Sequence, residues 1–461
     1  MKKLMLSMGL PIVLSMMFQA VYNIVDSAFL SSMPEAGEEA LTALGLAFPV
    51  QLLMVAVAIG TGVGTNALVA TSLGENNQER ARKAAGNSIF LGVVISLVFL
   101  LFAIFIVPVY VKSQNSSGVI SETSVNMCID YLRICCGVSC GIIFFSIFEK
   151  LLQACGNSLW STVSQVAGAV ANIVLDPIFI FGWFGLPAMG VRGAALATVL
   201  GQLLSAILGL IFHLKHDKVL SIKLRDLKPD WLTIRIIYAI GLPAIISQAL
   251  LTVMTYGMNI ILGGLPEVGE NCVTVYGLYC KIQQLIIFAA VGMRDTITPI
   301  LSFSFGQGNR KRANEAINTG MLYTLILMLF GTVVLEVLAV PLAHFFSLAE
   351  PTFSICVDCV RIVSLGFVFA GCLIGVQGIF QGIGCGLEGL IVGAGRQVIF
   401  VLPVAAILAR TVTGAATSSR IWWTFLLGEL LTIAITVPMY IRAYNRRIKP
   451  LSAMEGDKAK S

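Results

Sequence analysis

Twelve long apolar runs constrain the fold of this chain more than any other feature. Each run holds roughly 20 or more residues, enough for a helix to cross a hydrocarbon core of about 30 Å. The runs lie near 8–31, 41–71, 86–111, 127–154, 160–183, 191–214, 236–262, 272–304, 316–343, 354–384, 388–409 and 421–443. Since 57% of the residues are hydrophobic and only 12% are charged, the chain lacks the polar surface of a soluble protein. The runs therefore predict an all-α polytopic protein that spans a lipid bilayer about twelve times.

Lys and Arg residues are distributed unevenly between the two ends of these runs. If the N-terminus is cytoplasmic, 20 of them lie on the cytoplasmic side and 4 on the opposite side. The four are Lys112, Arg192, Arg410 and Arg420. The positive-inside rule then predicts a cytoplasmic (inner) membrane protein with both termini in the cytoplasm. The net charge of +6 reflects this topology, and no nucleic-acid-binding module is recognised.

The second half of the chain repeats the first. The Gly-Leu-Pro sequence at 9–11 returns at 241–243, a shift of 232, and Asp130 returns as Asp358, a shift of 228. Six spans is an even number, so both halves are predicted to have the same orientation, related by a pseudo-two-fold axis along the membrane normal. The predicted organisation is an N-terminal six-helix bundle at 1–214, a basic cytoplasmic linker at 215–235, a C-terminal six-helix bundle at 236–443 and a cytoplasmic tail at 444–461.

Two carboxylates lie deep in apolar runs of the first half and have no counterpart in the second. Asp26 in the first run corresponds to Met258, and Asp176 in the fifth run corresponds to Val404. An ionised Asp at mid-membrane costs about 2.5–3.5 kcal/mol on insertion scales, so both are predicted to face a protein interior. Two nearby carboxylates do not easily ionise together without a cation, which predicts a coupled pair or a bound cation.

Polar residues at helical spacing accompany both carboxylates. A polar stripe on the first helix, leading to Asp26, consists of Gln19, Tyr22 and Asn23. The predicted cation site consists of Asp26, Asn172, Asp176 and Thr198. These hard oxygen ligands suit Na⁺ or a proton rather than zinc, so the four are metal ligands only if the ion is Na⁺. The alternative is a buried hydrogen-bond network that ties the helices together.

Other charged residues in the runs are weaker candidates. Lys281 and Asp295 in the eighth run, and Glu149 in the fourth, are candidates for a substrate path. Arg294 and Asp295 are neighbours in sequence and are expected to point in different directions. Glu149 and Lys150 lie near an inner helix end, where snorkelling of long side chains is favourable.

Three further acidic positions are expected to be structural or isolated. Asp130 and Arg133 form an i, i+3 pair, whereas Glu336 and Glu429 are lone acids in apolar helices.

The glycines at 60, 62 and 64 lack the lysine of a phosphate loop and favour close helix packing instead. The eleven cysteines favour apolar packing, and no nucleophile–His–acid set is found among the three histidines. The chain is therefore not expected to be an enzyme.

Several of these segments resemble the multidrug and toxic compound extrusion (MATE) family of transporters. They are the first helix with its Pro11 and Asp26, LLQACGN at 151–157, NIVLDPIFIFG at 172–182, GVRGAALAT at 190–198, KIQQ at 281–284 and PILSFSFGQGNRKRA at 299–313. The resemblance implies two bundles around a V-shaped cavity and multidrug efflux of organic, often cationic, compounds. It also implies antiport with H⁺ or Na⁺, with Asp26, Asn172, Asp176 and Thr198 as the coupling cluster.

Two other functions remain open on sequence grounds. One is a lipid-linked precursor flippase of the same wider superfamily, which tends to have a cationic cavity and extra helices. The other is a channel or a non-transporting receptor. For the favoured function, antiport, the expected partners are amphiphilic small molecules and the bilayer, with no cofactor beyond the coupling ion, and the expected functional form is a monomer.

Overall fold

The computed structural model describes residues 1–31, 37–114, 121–217, 220, 222–345 and 350–451. Within these residues every regular element is helical. Ten helices are long and apolar enough to cross a membrane, and two bent helix pairs bring the number to twelve when each pair is counted as one span. This confirms the predicted all-α polytopic fold.

We number the spans in chain order. Spans 1 to 6 are Lys2–Ser31, Gly37–Gly74, Gln78–Ser113, Glu122–Gly137 with Cys140–Ala154, Ser158–Phe181 and Val191–His216. Spans 7 to 12 are Trp231–Gly263, Gly269–Gly306, Arg310–Phe345, Thr352–Ser364 with Phe367–Gly382, Gly386–Ala409 and Ser419–Ala443. Most helices extend past the predicted apolar runs, because polar end turns continue the hydrogen-bonded helix beyond its apolar part.

Spans 4 and 10 are both bent, and they occupy the same place in the two halves. Span 4 bends by 44° between its two helices and span 10 by 47°. Two other spans contain a π-helical turn, Phe102–Ile106 in span 3 and Gly395–Ile399 in span 11. The bends are therefore part of the repeated scaffold, whereas the π turns are particular to one half each.

The loops that follow spans 2 and 8 match in atomic detail. The Asn77 Oδ1 accepts a hydrogen bond from the backbone N–H of Arg80 at 3.0 Å, and the Asn309 Oδ1 accepts one from the backbone N–H of Arg312 at 2.8 Å. Each asparagine thus caps the helix that follows it. The residue before each asparagine has a positive φ, 57° and 70° respectively. The 232-residue shift found in the sequence therefore relates equivalent turns.

Contacts divide the chain into two compact units. The first unit is Leu10–Ile245, and the second unit is Ile246–Ser461 together with Met1–Gly9. Each has an apolar core: Leu132 and Ile143 are fully buried in the first, and Trp422 and the two cysteines of the C-x-x-C at 356–359 are buried in the second. The bundle boundaries at 214 and 236 stay predictions.

Candidate functional site

Asp176 and Asn172 form the centre of the candidate site, on span 5. The Asp176 side chain is fully buried and Asn172 is 3% exposed. The Asn172 Nδ2 donates a hydrogen bond to the Asp176 Oδ1 at 3.3 Å, across one helical turn. Among the described residues the buried Asn172 Oδ1 accepts no hydrogen bond. A carboxylate beside a free acceptor oxygen suits a proton or a hard cation.

Two glycines press Asn172 against span 6. A Cβ on Gly168 would lie 2.5 Å from the backbone oxygen of Gly201, and a Cβ on Gly201 would lie 2.7 Å from the backbone oxygen of Gly168. A Cβ on Gly201 would also lie 3.1 Å from the Cβ of Asn172. Because only glycine permits this approach, the two backbones meet directly beside Asn172 and hold its position.

Thr198 lies beside this pair but is not bonded to it. Spans 5 and 6 pack in opposite directions, with Gly201 against Asn172 and Gly193 against Phe179. This register places position 197, next to Thr198, level with Asp176. Thr198 is half-buried, and within the described part of the chain its hydroxyl makes no hydrogen bond. The structure therefore brings Asn172 and Asp176 together and leaves Thr198 at their edge.

The polar stripe of span 1 contacts span 5 through Gln19 and Gln165. The Gln165 Nε2 donates a hydrogen bond to the Gln19 Oε1 at 3.0 Å, and Gln165 is largely buried. The predicted positions Tyr22, Asn23 and Asp26 belong to the same helix, but their side chains lie outside the described residues. The contact between Gln19 and Gln165 joins the two spans on which the predicted carboxylates lie.

The corresponding positions of the second half are apolar and packed. Met258 is fully buried within the core of the second unit. A Cβ on the preceding Gly257 would lie 2.7 Å from a methyl carbon of Leu402 on span 11. On that span Phe400 corresponds to Asn172 by the shift of 228, and Val404 corresponds to Asp176; both are half-buried. The second half therefore repeats the helices without the carboxylates.

Glu149 is part of a buried network that sequence reasoning did not detect. Glu149 and Lys150 are 5% and 2% exposed, so the expected snorkelling is wrong. The Lys150 Nζ donates to the Gln153 Oε1 at 3.0 Å, and the Gln153 Nε2 donates to the Glu149 Oε1 at 2.9 Å. In the sequence, the i, i+1, i+4 spacing of Glu149, Lys150 and Gln153 could have indicated this network.

A second buried cluster joins the loop after span 4 to the end of span 6. The His213 Nδ1 lies 2.7 Å from the Asp217 Oδ2, and the Asn157 Nδ2 donates to the other oxygen of the same carboxylate. Burial, followed by the nearby charge of Asp217, raises the pKa of the Cys155 thiol well above its usual value. The i, i+4 spacing of His213 and Asp217 could have indicated the pair. Its position favours a role in holding the loop.

Asp295 on span 8 is paired, contrary to expectation. The Arg294 Nε donates to the Asp295 Oδ1 at 2.9 Å, and the carboxylate is almost completely buried. Adjacent Cα–Cβ bonds point apart, but the long guanidinium side chain folds back to its neighbour. Lys281, on the same span, is exposed. Asp295 is therefore neutralised locally, whereas Lys281 stays accessible.

The acids expected to be isolated also have partners. Glu429 on span 12 pairs with Arg396 on span 11, with 2.9 Å between the Glu429 Oε1 and an Arg396 guanidinium nitrogen. Glu336 accepts a hydrogen bond from the Ser364 hydroxyl at 2.8 Å. Both partners lie on other helices, so helical periodicity within one span did not indicate them.

Asp130 pairs with a residue other than the expected Arg133. An Arg192 guanidinium nitrogen lies 2.6 Å from the Asp130 Oδ2, and a second donates to the same oxygen at 2.8 Å. Arg192 lies in the first turn of span 6, which packs against the first helix of span 4. The local i, i+3 prediction is therefore wrong because a contact between spans replaces it.

The profile of the MatE family matches the chain twice, at residues 11–178 and 243–407. The starts of the two matches are 232 residues apart, which is the shift read from the internal repeat. Together the matches cover more than half of the 461 residues.

Individual relatives agree with this match. The chain is 22% identical over 464 aligned positions to the multidrug export protein MepA of Staphylococcus aureus (strain MRSA252), with 98% of this chain and 97% of that protein covered. It is 24% identical over 350 positions to a FAD transporter of Shewanella oneidensis, with 75% and 74% covered. The outward-facing structure of a multidrug resistance MATE family transporter of the MOP superfamily matches with a TM-score of 0.88 and 25% identity over 98% of this chain and 97% of that one.

The up to twelve spans of the described residues and an internal repeat matched twice by one profile agree with one another. The chain belongs to the MatE (MATE) family and is a multi-pass membrane transporter, not an enzyme.

Proposed function

We propose that this transporter exports organic compounds by antiport, and that Asp26 and Asp176 in its first half bind the coupling ion, H⁺ or Na⁺. One observation carries the proposal: a fully buried carboxylate, Asp176, bonded to Asn172 in the first unit, where the second unit has apolar side chains at the repeated positions.

Helical geometry supports a shared site for the two carboxylates. Gln19 and Gln165 are hydrogen-bonded, and Asp26 and Asn172 each follow seven residues later, about 10.5 Å along their helices at 1.5 Å per residue. Spans 1 and 5 run in the same direction, because each intervening span reverses the chain. Asp26 and Asn172 therefore stand at the same level, one turn from Asp176.

The free-energy cost of burying an ionised carboxylate couples ion binding to transport. An ionised carboxylate in the apolar bundle is unfavourable unless a proton or a cation neutralises it. Na⁺ would take the Asp176 carboxylate and the Asn172 Oδ1, with Thr198 at the edge of the site, whereas a proton would take a carboxylate oxygen. Binding of the ion changes the charge between spans 1 and 5, so it changes their packing and drives release of the exported compound.

The compounds are organic amphiphiles. The relatives are described as a multidrug export protein and a FAD transporter, which supports organic molecules of moderate size as the transported class. The protein works as a monomer in the cytoplasmic membrane, with both termini in the cytoplasm, as the Lys and Arg distribution favours.

Transport by purified protein in proteoliposomes tests the coupling. Dye efflux is measured under a proton gradient and, separately, under a sodium gradient, for the wild type and for Asp26→Asn and Asp176→Asn. We expect wild-type efflux with one of the gradients and a loss of at least about tenfold in both variants, because an amide cannot exchange an ion at these positions.

Asp130→Asn is the matched control, since it removes a carboxylate that is paired with Arg192 at the end of a span. Its ion-driven efflux should stay within about twofold of the wild type. Efflux that survives unchanged in Asp26→Asn and Asp176→Asn, or that falls equally in Asp130→Asn, contradicts the assignment.

A further inference from the structure

Span 8 exposes a polar stripe along one face. Its exposed positions Glu270, Thr274, Gly277 and Lys281 follow the helical spacing of four, three and four residues, and half-buried Gln284 continues the line. None of these five positions is apolar apart from the glycine. The middle of span 9, in the same unit, contrasts with this stripe, because the side chains exposed between 322 and 338 are apolar. They are Leu322, Ile326, Leu329, Phe330, Val333, Val337 and Leu338.

The contrast between the two helices indicates that span 9 faces lipid and that the stripe of span 8 faces water. Polar and ionisable side chains within a membrane face a bundle interior or an aqueous cavity, whereas lipid contacts apolar side chains. Span 7 is mixed, because the exposed Tyr256 and Asn259 lie among the exposed Val253 and Ile260. The stripe of span 8 therefore faces water within the membrane.

Lys281 is a fixed positive charge within this surface. It lies 12 residues from the start of the helix at Gly269, about 18 Å at 1.5 Å per residue, too far to reach the outer end by extending its side chain. Among the described residues it has no carboxylate partner, since Asp295 is bonded to Arg294 and Glu429 to Arg396. A fixed cation within the membrane raises the local concentration of anions.

We propose that Lys281 binds a negatively charged group of the transported compound, a carboxylate or a phosphate. This inference rests on the proposed export function and narrows its substrate class from amphiphiles in general to amphiphiles that carry an anionic group.

Equilibrium binding separates this inference from the transport mechanism. The probes are a rhodamine dye with a free carboxylate and its methyl ester, which share one ring system and differ in that one charge. Fluorescence anisotropy gives Kd for each dye with detergent-purified full-length wild type, Lys281→Gln and Lys281→Arg. Loss of one charge-assisted contact should raise Kd for the carboxylate dye about 10- to 100-fold in Lys281→Gln, leave Kd for the ester within about twofold, and be largely restored in Lys281→Arg.

Lys311→Gln is the matched control, because Lys311 is an exposed cation in the first turn of span 9. Equal loss for both dyes in Lys281→Gln, or the same loss in Lys311→Gln, overturns the proposal. Binding is also measured in vesicles with and without an anionic lipid. If the anionic lipid competes with the dye and this competition requires Lys281, then Lys281 binds a lipid headgroup, and the proposal is overturned as well.

The two proposals fail differently. If the carboxylate dye binds through Lys281 but neither ion gradient drives its efflux, the export mechanism is wrong and the charge preference holds. If ion-driven efflux depends on Asp176 but Lys281→Gln does not distinguish the dyes, the export mechanism holds and the charge preference is wrong.

Discussion

At the scale of single residues, buried acids differ in the groups bonded to them. The Asp176 carboxylate accepts a hydrogen bond from a neutral amide, Asn172. Glu429 is paired with the Arg396 guanidinium, and Glu149 lies 3.7 Å from the Lys150 ammonium. A carboxylate held by a neutral group can bind an ion, whereas a carboxylate held by arginine is already neutralised and serves stability.

The ion pair of spans 11 and 12 gives a stability prediction. The Arg396 and Glu429 side chains are 13% and 10% exposed, so Arg396→Met should leave a buried carboxylate uncompensated and lower the free energy of unfolding by about 3–5 kcal/mol. Unfolding of the purified protein in detergent, followed by circular dichroism, measures the loss.

Two comparisons sharpen this prediction. The double variant Arg396→Met with Glu429→Leu should recover most of the lost stability, because it removes both charges. Arg192→Met breaks a pair whose arginine side chain is 65% exposed and should cost at most about 1 kcal/mol. Equal losses of stability in Arg396→Met and Arg192→Met would contradict this prediction. They would show that the Arg396–Glu429 pair contributes no more to the free energy of unfolding than an exposed pair.

At the scale of helices, glycine determines how closely spans approach. Span 2 has glycines at 60, 62 and 64, where sequence reasoning favoured close packing. A Cβ on Gly64 would lie 2.1 Å from the backbone oxygen of Ile237 on span 7, and a Cβ on Gly60 would lie 2.7 Å from that of Gly241. The two spans therefore meet backbone to backbone in the first unit.

Gly64→Ala should force span 2 away from Ile237. Overpacking of this kind costs about 1–3 kcal/mol, so we expect a lower Tm in detergent by several degrees and reduced transport in proteoliposomes. The close contact is to backbone, which cannot rotate away as a side chain can.

Gly45→Ala is the control on the same helix, since a Cβ at Gly45 has no atom within 4 Å. It should leave stability unchanged or raise it by up to about 1 kcal/mol, because alanine restricts the unfolded chain. A Tm for Gly64→Ala that matches that of Gly45→Ala would contradict the close approach of spans 2 and 7.

At the scale of the whole molecule, duplication sets the architecture and charge sets its orientation. Two six-span halves with equivalent bends and capped loops predict an even number of crossings and both termini on one side. The excess of Lys and Arg on that side predicts that it is the cytoplasm.

Fusions to reporter enzymes test the orientation. A fluorescent protein fused after Arg447 should fluoresce in cells, and alkaline phosphatase at the same place should be inactive, because the phosphatase requires export. Phosphatase inserted in the loop that joins spans 5 and 6, near Gly185, should be active. The reverse pattern would invert the topology, and activity at both sites would contradict an even number of spans.

The sequence by itself determined the number of spans, their repeat and the positions of the unusual carboxylates. These properties are local: bilayer thickness sets the length of an apolar run, and an Asp in such a run stands out without knowledge of its neighbours. Tertiary structure decided which groups meet. Asp130 bonds to Arg192 rather than Arg133, Arg396 neutralises Glu429, and Gln19 meets Gln165. These pairs depend on how different helices are aligned and how closely they approach. Glycine contacts set this alignment and approach, and the periodicity of a single helix carries no information about them.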